Sequence, residues 1–490
     1  MTSACATLTP VTHDRRAPRP GKVAPPALAA EELAQITGGR LVARSSRPIR
    51  GAAVDSRIVN PGELFVALPG ERTDGHEFLA AAVARGAAAL LVTRLTDDAA
   101  TALGDVTIVR VADGLAALHA VAAAWRTRFE PLVVGVTGSI AKTSTKEAIA
   151  AVLGERFVTL KNEGNQNNEI GLPLTVLRLG PEHEAAVLEM GMYAGGEIAD
   201  LAAIARPRIG VVTAVQPVHL SRIGTLEAIE RAKGELLEAL PRDGRAVLNA
   251  DDVRVRRMAG RTEAPALTYG FAAEADVRAE EARSAGTDGM RFTLRTRDGR
   301  VAVSIPTLGR LAVHNALAGA ATGLAAGLSL DEIAAGLARG WSAPHRAELI
   351  RAGRVTIVDD SYNASPASVT AALDLLGGLP GRRVAVLGEM LELGDGHEAG
   401  HRAVGEAAAA VADLLVVVGE GATAIADGAV AAGLAPGKIV RAADRGAALA
   451  AVRPRLRDGD VVLVKASRGV ELDVLVDQLR AELVAGAGVP

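Results

Sequence analysis

A glycine-rich loop between a strand-like run and a helix-like run is the first part of the chain whose residue types indicate chemistry. Residues 135–143, with the sequence GVTGSIAKT, follow the apolar run Leu132–Val136 and precede a helix predicted to begin near Lys142. The backbone N–H groups of such a turn and the N-terminus of the helix face anionic oxygens. Lys142 is placed to reach the β- and γ-phosphates of a nucleotide, and the Thr143 hydroxyl is placed to hold Mg²⁺.

The loop departs from the general phosphate-loop pattern at two positions. Ala141 stands where a glycine usually precedes the lysine, and Val136 stands where the first glycine is expected. By itself the match leaves open a glycine-rich strand–helix turn that binds no ligand. If Ala141 takes a positive φ, its Cβ costs about 1 kcal/mol.

Three further groups come at or after the ends of strand-like runs and could lie beside this loop. Glu189 ends the run AVLE, His219 follows the run IGVVTAV, and Lys233 lies in the next helix-like stretch. Ligands bind outside the carboxyl ends of the strands in parallel sheets. Glu189 and His219 are therefore predicted Mg²⁺ ligands, the carboxylate being the more natural one.

Lys233 as an ammonium would repel a cation, but a lysine carboxylated by CO₂ is an anionic carbamate with two oxygens, which can bind metal. The residue types leave the ordinary alternatives open. Lys233 can be a solvated helix lysine paired with Glu230 or Glu235, and His219 can be a buried hydrogen-bonded histidine.

The bulk properties set the class of protein. With 490 residues the chain is long enough for about three domains of roughly 150 residues. The net charge of −3 implies no general attraction to nucleic acid or anionic membranes. Cys5 is the single cysteine, so no disulfide forms within the chain, and no apolar run is long enough to span a bilayer. Residues 1–26 lack the apolar core of a secretory signal and are predicted to be a disordered tail.

Strand-like and helix-like runs alternate, which predicts an α/β protein with parallel sheets. We expect a small N-terminal α/β domain over residues 27–112, with a strand in the run Gly62–Leu68. A central phosphate-loop ATPase domain with a parallel sheet is expected over 113–342, and the period-two pattern of 273–305 indicates a β insertion or edge hairpins within it. A C-terminal Rossmann-like domain is expected over 343–490.

Motifs in order along the chain, from about residue 27 to 480, resemble those of the Mur ligase family. The N-terminal segments are Asp55-Ser-Arg57, 61–68 (PGELFVAL) and Asp74-Gly-His76. The central segments are 137–147 (TGSIAKTSTKE), 165–171 (NQNNEIG), Glu189-Met-Gly191, His219 and Ala232-Lys-Gly234. The C-terminal segments are 314–318 (HNALA), Arg346, 360–366 (DSYNASP) and 465–468 (KASR). The sequence departs from the family pattern at Leu311-Ala312, where His-Asn is usual, and at Ala141 and Ala466, where glycine is usual.

The resemblance implies a role for each matching residue. The catalytic residues it implies are Lys142, Glu189, His219 and Lys233, and the implied metal ligands are Thr143, Glu189, His219 and carbamylated Lys233. The ATP contacts it implies are Thr137, Gly138, Ser139, Ile140, Ala141, Lys142, Thr143, Ser144, Asn315, Arg346 and Asp360. The substrate contacts it implies are Asp55, Ser56, Arg57, Asn165, Asn167, Asn168, Asn363, Lys465, Ser467 and Arg468.

The activity that the resemblance implies is ATP-dependent addition of D-alanyl-D-alanine to a UDP-N-acetylmuramoyl tripeptide, by way of an acyl phosphate, in peptidoglycan precursor synthesis. ATP and Mg²⁺ would be required, and the enzyme would act as a cytoplasmic monomer on these small molecules, without nucleic acid. The alternatives are another ligase of this fold, such as a MurE-type enzyme or a folylpolyglutamate synthase, and a non-catalytic module that kept the fold. The Asp-Asn-Pro-Arg motif of the MurE-type enzymes is absent from the sequence.

Overall fold

The structure is a computed structural model that describes residues 26–70, 73–217 and 223–486. The predicted tail, apart from Pro26, and the predicted metal ligand His219 lie outside the described residues. Three sheets, one after another along the chain, organise the rest. The α/β fold class with three sheet-centred parts is confirmed.

The N-terminal sheet has the strand order β1-β5-β4-β3-β2, with β1 antiparallel to β5 and the other pairs parallel. Its strands are β1 (Arg40–Ala43), β2 (Ala52–Ala53), β3 (Leu64–Val66), β4 (Ala89–Val92) and β5 (Thr107–Arg110). Its helices are α1 (Ala30–Thr37), α2 (Leu79–Ala84) and α3 (Asp97–Ala102). Gly38 ends α1 with a φ of 60°, a left-handed conformation that glycine adopts without a Cβ clash.

The central sheet has nine strands in the order β14-β13-β12-β11-β10-β9-β6-β8-β7. The strands are β6 (Leu132–Thr137), β7 (Thr159–Lys161), β8 (Ala185–Glu189), β9 (Ile209–Val212), β10 (Arg245–Asn249), β11 (Ala266–Gly270), β12 (Val277–Ser284), β13 (Met290–Thr296) and β14 (Gly299–Ile305). The helices are α4 (Gly114–Arg126), α5 (Lys142–Leu153), α6 (Gly171–Val176), α7 (Glu197–Ala205), α8 (Leu226–Glu238), α9 (Val253–Arg257), α10 (Arg310–Ala325) and α11 (Leu330–Arg339).

The central sheet is parallel around the predicted phosphate loop and antiparallel at one edge. Strands β6 to β12 pair in parallel, and β12, β13 and β14 form antiparallel hairpins. The β segment predicted over 273–305 is therefore present, and it extends the central sheet as its edge. All six residues of β6 are buried, because a parallel strand covered by helices on both faces has no solvent face.

The C-terminal sheet has the order β15-β16-β20-β17-β18-β19, parallel except for β15. Its strands are β15 (Glu348–Ala352), β16 (Val355–Asp359), β17 (Arg383–Gly388), β18 (Leu414–Val418), β19 (Ile439–Ala442) and β20 (Val461–Lys465). Its helices are α12 (Pro366–Gly377), α13 (His397–Ala409), α14 (Thr423–Ala431), α15 (Arg445–Val452) and α16 (Leu472–Gly486). Since β20 lies between β16 and β17, the loops that follow these three strands meet at one edge of the sheet.

Side-chain caps set where several helices begin. Asp113 accepts hydrogen bonds from the N–H groups of Leu115 and Ala116 at the start of α4, and Thr225 accepts one from Ala228 at the start of α8. Helix α8 carries Lys233, so its cap fixes the register that places this lysine. Among the helices of the described ranges, none is both long and apolar enough to cross a membrane.

Candidate active site

The loop between β6 and α5 is fixed by hydrogen bonds to the residues that follow strand β9. The Ser139 N–H donates to the Ala214 carbonyl at 2.8 Å, and the Thr213 hydroxyl donates to the Ile140 carbonyl at 2.6 Å. A Cβ on Gly138 would lie 1.9 Å from the Thr213 hydroxyl oxygen, so only glycine fits there. These bonds direct the start of α5 toward a cleft, which is the arrangement that binds phosphate groups.

Ala141 has a φ of 64° and a ψ of 5°, the left-handed conformation that a glycine normally supplies. It begins the helix, because its carbonyl accepts the Thr145 N–H at 2.8 Å. The backbone therefore has the conformation of a glycine loop despite the added Cβ, at a cost of about 1 kcal/mol.

Lys142 lies close to charged side chains of two other parts of the structure. Its ammonium donates to the Gly138 carbonyl at 2.8 Å. Burial lowers the pKa of Lys142, the Glu189 carboxylate acts against this, and the Arg346 guanidinium lowers the pKa further. Glu189 ends β8 and Arg346 comes from the C-terminal part, so the two halves of the cleft lie within electrostatic range of the same ammonium.

Glu189 is a buried carboxylate held in one orientation. It is 1% exposed, and its Oε1 accepts a hydrogen bond from Asn167 Nδ2 at 2.6 Å. Asn162 binds both the N–H and the carbonyl of Glu189, at 2.9 and 3.1 Å. The other carboxylate oxygen, Oε2, is buried without a hydrogen-bond partner in the described structure. A buried acceptor that is aimed but unpaired fits a cation ligand.

Lys233 is buried on α8, with 3% of its surface exposed. The two acids considered as its surface partners are engaged elsewhere: Glu230 pairs with Arg254 at 2.7 Å, and Glu235 accepts the N–H groups of Gly196 and Ala199. Burial, and after it the Lys142 ammonium, lower the pKa of Lys233 well below its ordinary value. The picture of Lys233 as a solvated, paired helix lysine is therefore wrong.

The third predicted metal group, His219, lies outside the described residues. Within the ranges that the structure describes, no group of three His, Cys, Asp or Glu side chains forms a metal centre. The candidate site that can be seen here consists of Lys142, Thr143, Glu189 and Lys233. Thr143 lies in the first turn of α5 and is buried, 6% exposed.

The C-terminal part contributes a second, tightly bonded wall. Lys465, at the end of β20, forms an ion pair with Asp360 at 2.7 Å and donates to the Asn363 carbonyl at 2.8 Å. The ring of Tyr362 faces two guanidinium groups, Arg346 at 4.1 Å and Arg468 at 5.6 Å. The loops after β16 and β20 are thereby fixed to each other at the carboxyl edge of the sheet.

A cluster around His314 was not among the residues predicted to contact ligands, although its neighbour Asn315 was. His314 Nε2 lies 3.1 Å from Asn249 Oδ1 and 3.3 Å from an Asp251 oxygen. The Arg310 guanidinium stacks on the Phe271 ring at 3.6 Å. Asn315 itself is 4% exposed, and its Oδ1 accepts the Thr145 hydroxyl. The sequence could have indicated this cluster through Asp251, which comes just after strand β10.

A cleft of about 1570 Å³ unites most of the predicted site residues. Those that line it are Ser139, Ile140, Ala141, Lys142, Thr143, Ser144, Asn165, Asn167, Glu189, Asn315, Arg346, Asp360, Asn363, Lys465, Ser467 and Arg468. Thr137 and Gly138 lie behind the loop, where the Thr137 hydroxyl donates to the Met190 carbonyl.

Four predicted substrate contacts lie apart from this cleft's lining. Asp55, Ser56 and Arg57 form a turn after β2, in which the Arg57 guanidinium pairs with Asp55 at 2.7 Å and is largely exposed. Asn168 Oδ1 accepts the Gly171 N–H at the start of α6, so this side chain has a local structural bond.

Family models match the chain in three places that follow the three sheets. The Mur ligase family catalytic domain matches residues 48–126, the Mur ligase middle domain 136–323, and the Mur ligase glutamate ligase domain 345–468. The chain belongs to the Mur ligase family.

Within the family, the chain is similar to the UDP-N-acetylmuramoyl-tripeptide–D-alanyl-D-alanine ligases. The enzyme of that name from Escherichia coli (strain K12) is 40% identical over 77% of this chain and 83% of its own length. A crystal structure of MurF from Acinetobacter baumannii superposes with a TM-score of 0.84 at 30% identity, covering 94% of this chain and 100% of the other. A MurF ligase from Thermotoga maritima in complex with ADP gives a TM-score of 0.78 at 30% identity, covering 89% and 99%.

Proposed function

We propose that this protein uses ATP to join the carboxylate of a UDP-N-acetylmuramoyl tripeptide to the amine of D-alanyl-D-alanine, forming ADP, phosphate and an amide. The observation that carries the proposal is the meeting of the phosphate loop, the buried Glu189 and Arg346 around one cleft, with the buried Lys233 within electrostatic range of Lys142. The similar enzymes that bear this activity in their names support the choice of substrates.

The first substrate is ATP. The N-terminus of α5 faces the cleft as an anion cradle, and Lys142 lies at its start. Arg346 supplies a second positive charge from the opposite wall. The Thermotoga maritima relative was crystallised with ADP, which supports a nucleotide in this position.

The residues present fit Mg²⁺. Glu189 offers a buried carboxylate oxygen without a hydrogen-bond partner among the described residues, and Thr143 offers a hydroxyl beside the loop. Lys233 is buried, and its pKa is lowered, which favours the neutral amine. The neutral amine is the form that reacts with CO₂, and the resulting carbamate would add two oxygens that share a negative charge. His219 is the further proposed ligand. Bound Mg²⁺ would neutralise charge that develops on the phosphate oxygens.

The chemistry follows from this placement. An oxygen of the tripeptide carboxylate attacks the γ-phosphorus of ATP, and the Lys142 and Arg346 charges stabilise the transferring phosphoryl group. ADP leaves, and the product is an acyl phosphate. The free amine of D-alanyl-D-alanine then attacks the acyl carbon, the C–O bond to phosphate breaks, and a proton is lost from nitrogen as the amide forms.

An acyl phosphate hydrolyses in open water, so the two walls of the cleft must exclude solvent. The wall formed by Asp360, Tyr362 and Lys465 is rigid through its own hydrogen bonds and carries Arg346 toward Lys142. We assign Asp360 to ATP and Asn363, Lys465, Ser467 and Arg468 to substrate.

The remaining assignments concern the sugar-linked substrate. Asn165 and Asn167 line the cleft beside Glu189, and Asn168 adjoins them. The turn 55–57 presents its exposed Arg57 on the N-terminal part, where it is proposed to bind the UDP-sugar. Because ATP and a UDP-linked precursor are the substrates, we place the enzyme in the cytoplasm, acting as a monomer.

A phosphate-release assay with different amines tests the proposal. The purified protein, ATP, Mg²⁺ and the UDP-tripeptide are incubated with D-alanyl-D-alanine, glutamate or diaminopimelate. Diaminopimelate is also tested in a mixture that contains the UDP-dipeptide. We expect D-alanyl-D-alanine to stimulate release at least about tenfold over the other amines. Stimulation by diaminopimelate or by glutamate instead would assign the chain to one of the alternative ligases, and lack of ATP binding in calorimetry would indicate a non-catalytic module.

A further inference from the structure

The loop that follows β17 forms part of the cleft and is not used by the mechanism above. Residues 389–393, with the sequence EMLEL, leave the carboxyl end of β17 beside the loops that follow β16 and β20. Leu391, Glu392 and Leu393 line the cleft. This segment is named here the β17 loop.

The backbone of the β17 loop is held by several hydrogen bonds, among them that of the Ser467 N–H to the Glu389 carbonyl at 2.9 Å. The Leu391 N–H donates to the Ser467 hydroxyl at 2.9 Å, and the Met390 N–H donates to His401 Nε2 at 2.9 Å. Glu392 has a φ of 63°, so the loop holds a non-glycine residue in the left-handed region. Strained backbone of this kind persists where surrounding contacts fix it, and it occurs often at ligand sites.

His401 is a buried histidine with both ring nitrogens engaged. It is 0% exposed on α13, and because Met390 donates to Nε2, the ring proton must lie on Nδ1, which donates to the His397 carbonyl at 2.7 Å. Burial lowers the pKa of His401, which agrees with a neutral ring. The ring therefore acts as a fixed acceptor for a loop amide, and only a neutral ring can do so.

The side chains at the β17 loop match the chemical groups of the amine acceptor. Leu391 is 40% exposed and offers apolar surface, while the Arg468 side chain on the adjacent loop pairs with Asp473 at 3.1 Å, is 61% exposed and offers a cation. Glu392 adds a carboxylate to the same cleft. A dipeptide with two methyl groups, an ammonium and a carboxylate matches these three features.

We propose that His401 is a positioning residue for the ligation: by accepting the Met390 N–H it fixes the β17 loop as the surface on which the amine acceptor binds. This inference rests on the proposed function, since it names the loop that recognises D-alanyl-D-alanine. His401 itself touches no substrate and acts through the loop.

Two substitutions separate the acceptor role of the ring from its bulk. In His401→Gln the side-chain oxygen reaches the position of Nε2 and can accept the Met390 N–H. In His401→Asn the shorter amide reaches the position of Nδ1 and can only replace the bond to His397. We expect His401→Asn to raise the KM for D-alanyl-D-alanine about tenfold, the loss expected for one buried hydrogen bond, with the KM for ATP unchanged. His401→Gln should return the acceptor KM to within about twofold of wild type.

A surface variant keeps the test decisive if His401→Asn does not fold. Leu391→Ser changes a half-exposed side chain, and it should raise the acceptor KM about fivefold through loss of apolar contact. Formation of the acyl phosphate without acceptor, followed by positional isotope exchange in ATP, should remain at the wild-type rate in every folded variant.

The outcomes distinguish the inference from the proposed function. A wild-type protein that does not ligate D-alanyl-D-alanine refutes both. A ligating wild type whose acceptor KM is unchanged in His401→Asn and in Leu391→Ser refutes the positioning role alone. An equal rise in the KM for ATP, or a loss of isotope exchange, would also overturn it, because the loop would then serve the donor half of the reaction.

Discussion

At the scale of single residues, burial decides which charged groups can do chemistry. Many arginines and acids among the described residues form ion pairs at the surface, as Arg57 does with Asp55, and such pairs contribute little to stability. Lys233 and Glu189 are different, because each is buried and neither pairs with a described residue of opposite charge. Keeping such groups costs folding free energy, which is typical of a site kept for its reaction.

The carbamate assignment predicts that arginine cannot replace Lys233. A guanidinium keeps its positive charge and forms no carbamate, so Lys233→Arg should lower ligation by about a thousandfold or more. The matched control is Lys161→Arg, which retains the ion pair with Glu147 and should stay within about twofold. Ligation rates under saturating substrates measure both, and near-normal turnover of Lys233→Arg would refute the carbamate.

The positive φ of Ala141 predicts that glycine there is stabilising. Ala141→Gly removes a left-handed strain of about 1–2 kcal/mol and loses part of this to chain entropy, for a net gain of about 0.5–1 kcal/mol. Ala150→Gly, within the same helix, should instead cost about 0.5–1 kcal/mol. Urea denaturation of both variants checks the sign, and equal destabilisation would mean that position 141 is not strained.

At the scale of elements, α11 is attached to the end of α5 by Glu332. Its carboxylate binds the Arg156 guanidinium, with Nε to Oε1 at 2.9 Å, and also closes a capping box with Ser329. These bonds lower the pKa of Glu332 to about 2 from 4.5. The folded pKa is depressed, so the stabilisation is complete above pH 4.5 and is lost as the pH falls toward 2.

The pH dependence can be tested by substitution. Glu332→Gln should lower the stability at pH 7 by about 1–2 kcal/mol, and the difference from wild type should shrink as the pH is lowered from 4.5 to 3. Asp331→Asn, on the preceding exposed position, is the charge-matched control. Thermal midpoints across this pH range give the answer; a difference that stays constant with pH would show that the ion pair contributes nothing.

Strands that are continuous apolar runs, and the period-two hairpins within 273–305, could be predicted from the sequence, whereas short polar edge strands could not. β18 (LLVVV) and β20 (VVLVK) are continuous apolar runs, and both lie inside the C-terminal sheet. β7 (TLK) and β15 (ELIRA) are edge strands, partly exposed and rich in polar residues, so no apolar run in the sequence predicts them. The strength of the pattern follows burial, not the presence of a strand.

The candidate site shows the same division. Lys142, Glu189 and Lys233 were indicated by their positions at strand ends or on the following helix, because parallel topology brings those ends together. The aromatic and cationic group of Phe271, Arg310 and His314 depends on the packing of α10 against β10 and β11, which no local pattern encodes. The β17 loop was missed for the same reason.

At the scale of the whole molecule, residues of the central and the C-terminal parts line the same cleft. Arg346 belongs to the C-terminal part and lies within electrostatic range of Lys142 in the central part. ATP bound between them would be held by both and would favour the closed arrangement. Closure would then be tied to the nucleotide that the reaction consumes.

Removal of this cross-cleft charge should weaken both ATP binding and closure. Arg346→Met is expected to raise the KM for ATP about tenfold, the loss expected for one charge-assisted contact. It should also reduce the decrease in radius of gyration that ATP and Mg²⁺ cause in small-angle scattering. Arg351→Met, on the exposed face of β15, is the control and should change neither quantity. An unchanged KM for ATP in Arg346→Met would show that this arginine does not contact the nucleotide.

The measurement that tests the central claim most directly follows one oxygen atom. The UDP-linked tripeptide is labelled with ¹⁸O in its terminal carboxylate and incubated with the protein, ATP, Mg²⁺ and D-alanyl-D-alanine. Mass spectrometry should find a product heavier than the labelled tripeptide substrate by the dipeptide less one ¹⁸O-labelled water, and one ¹⁸O transferred to the phosphate released with each amide. Phosphate that contains no ¹⁸O, or that is released without amide formation, would contradict ligation through an acyl phosphate.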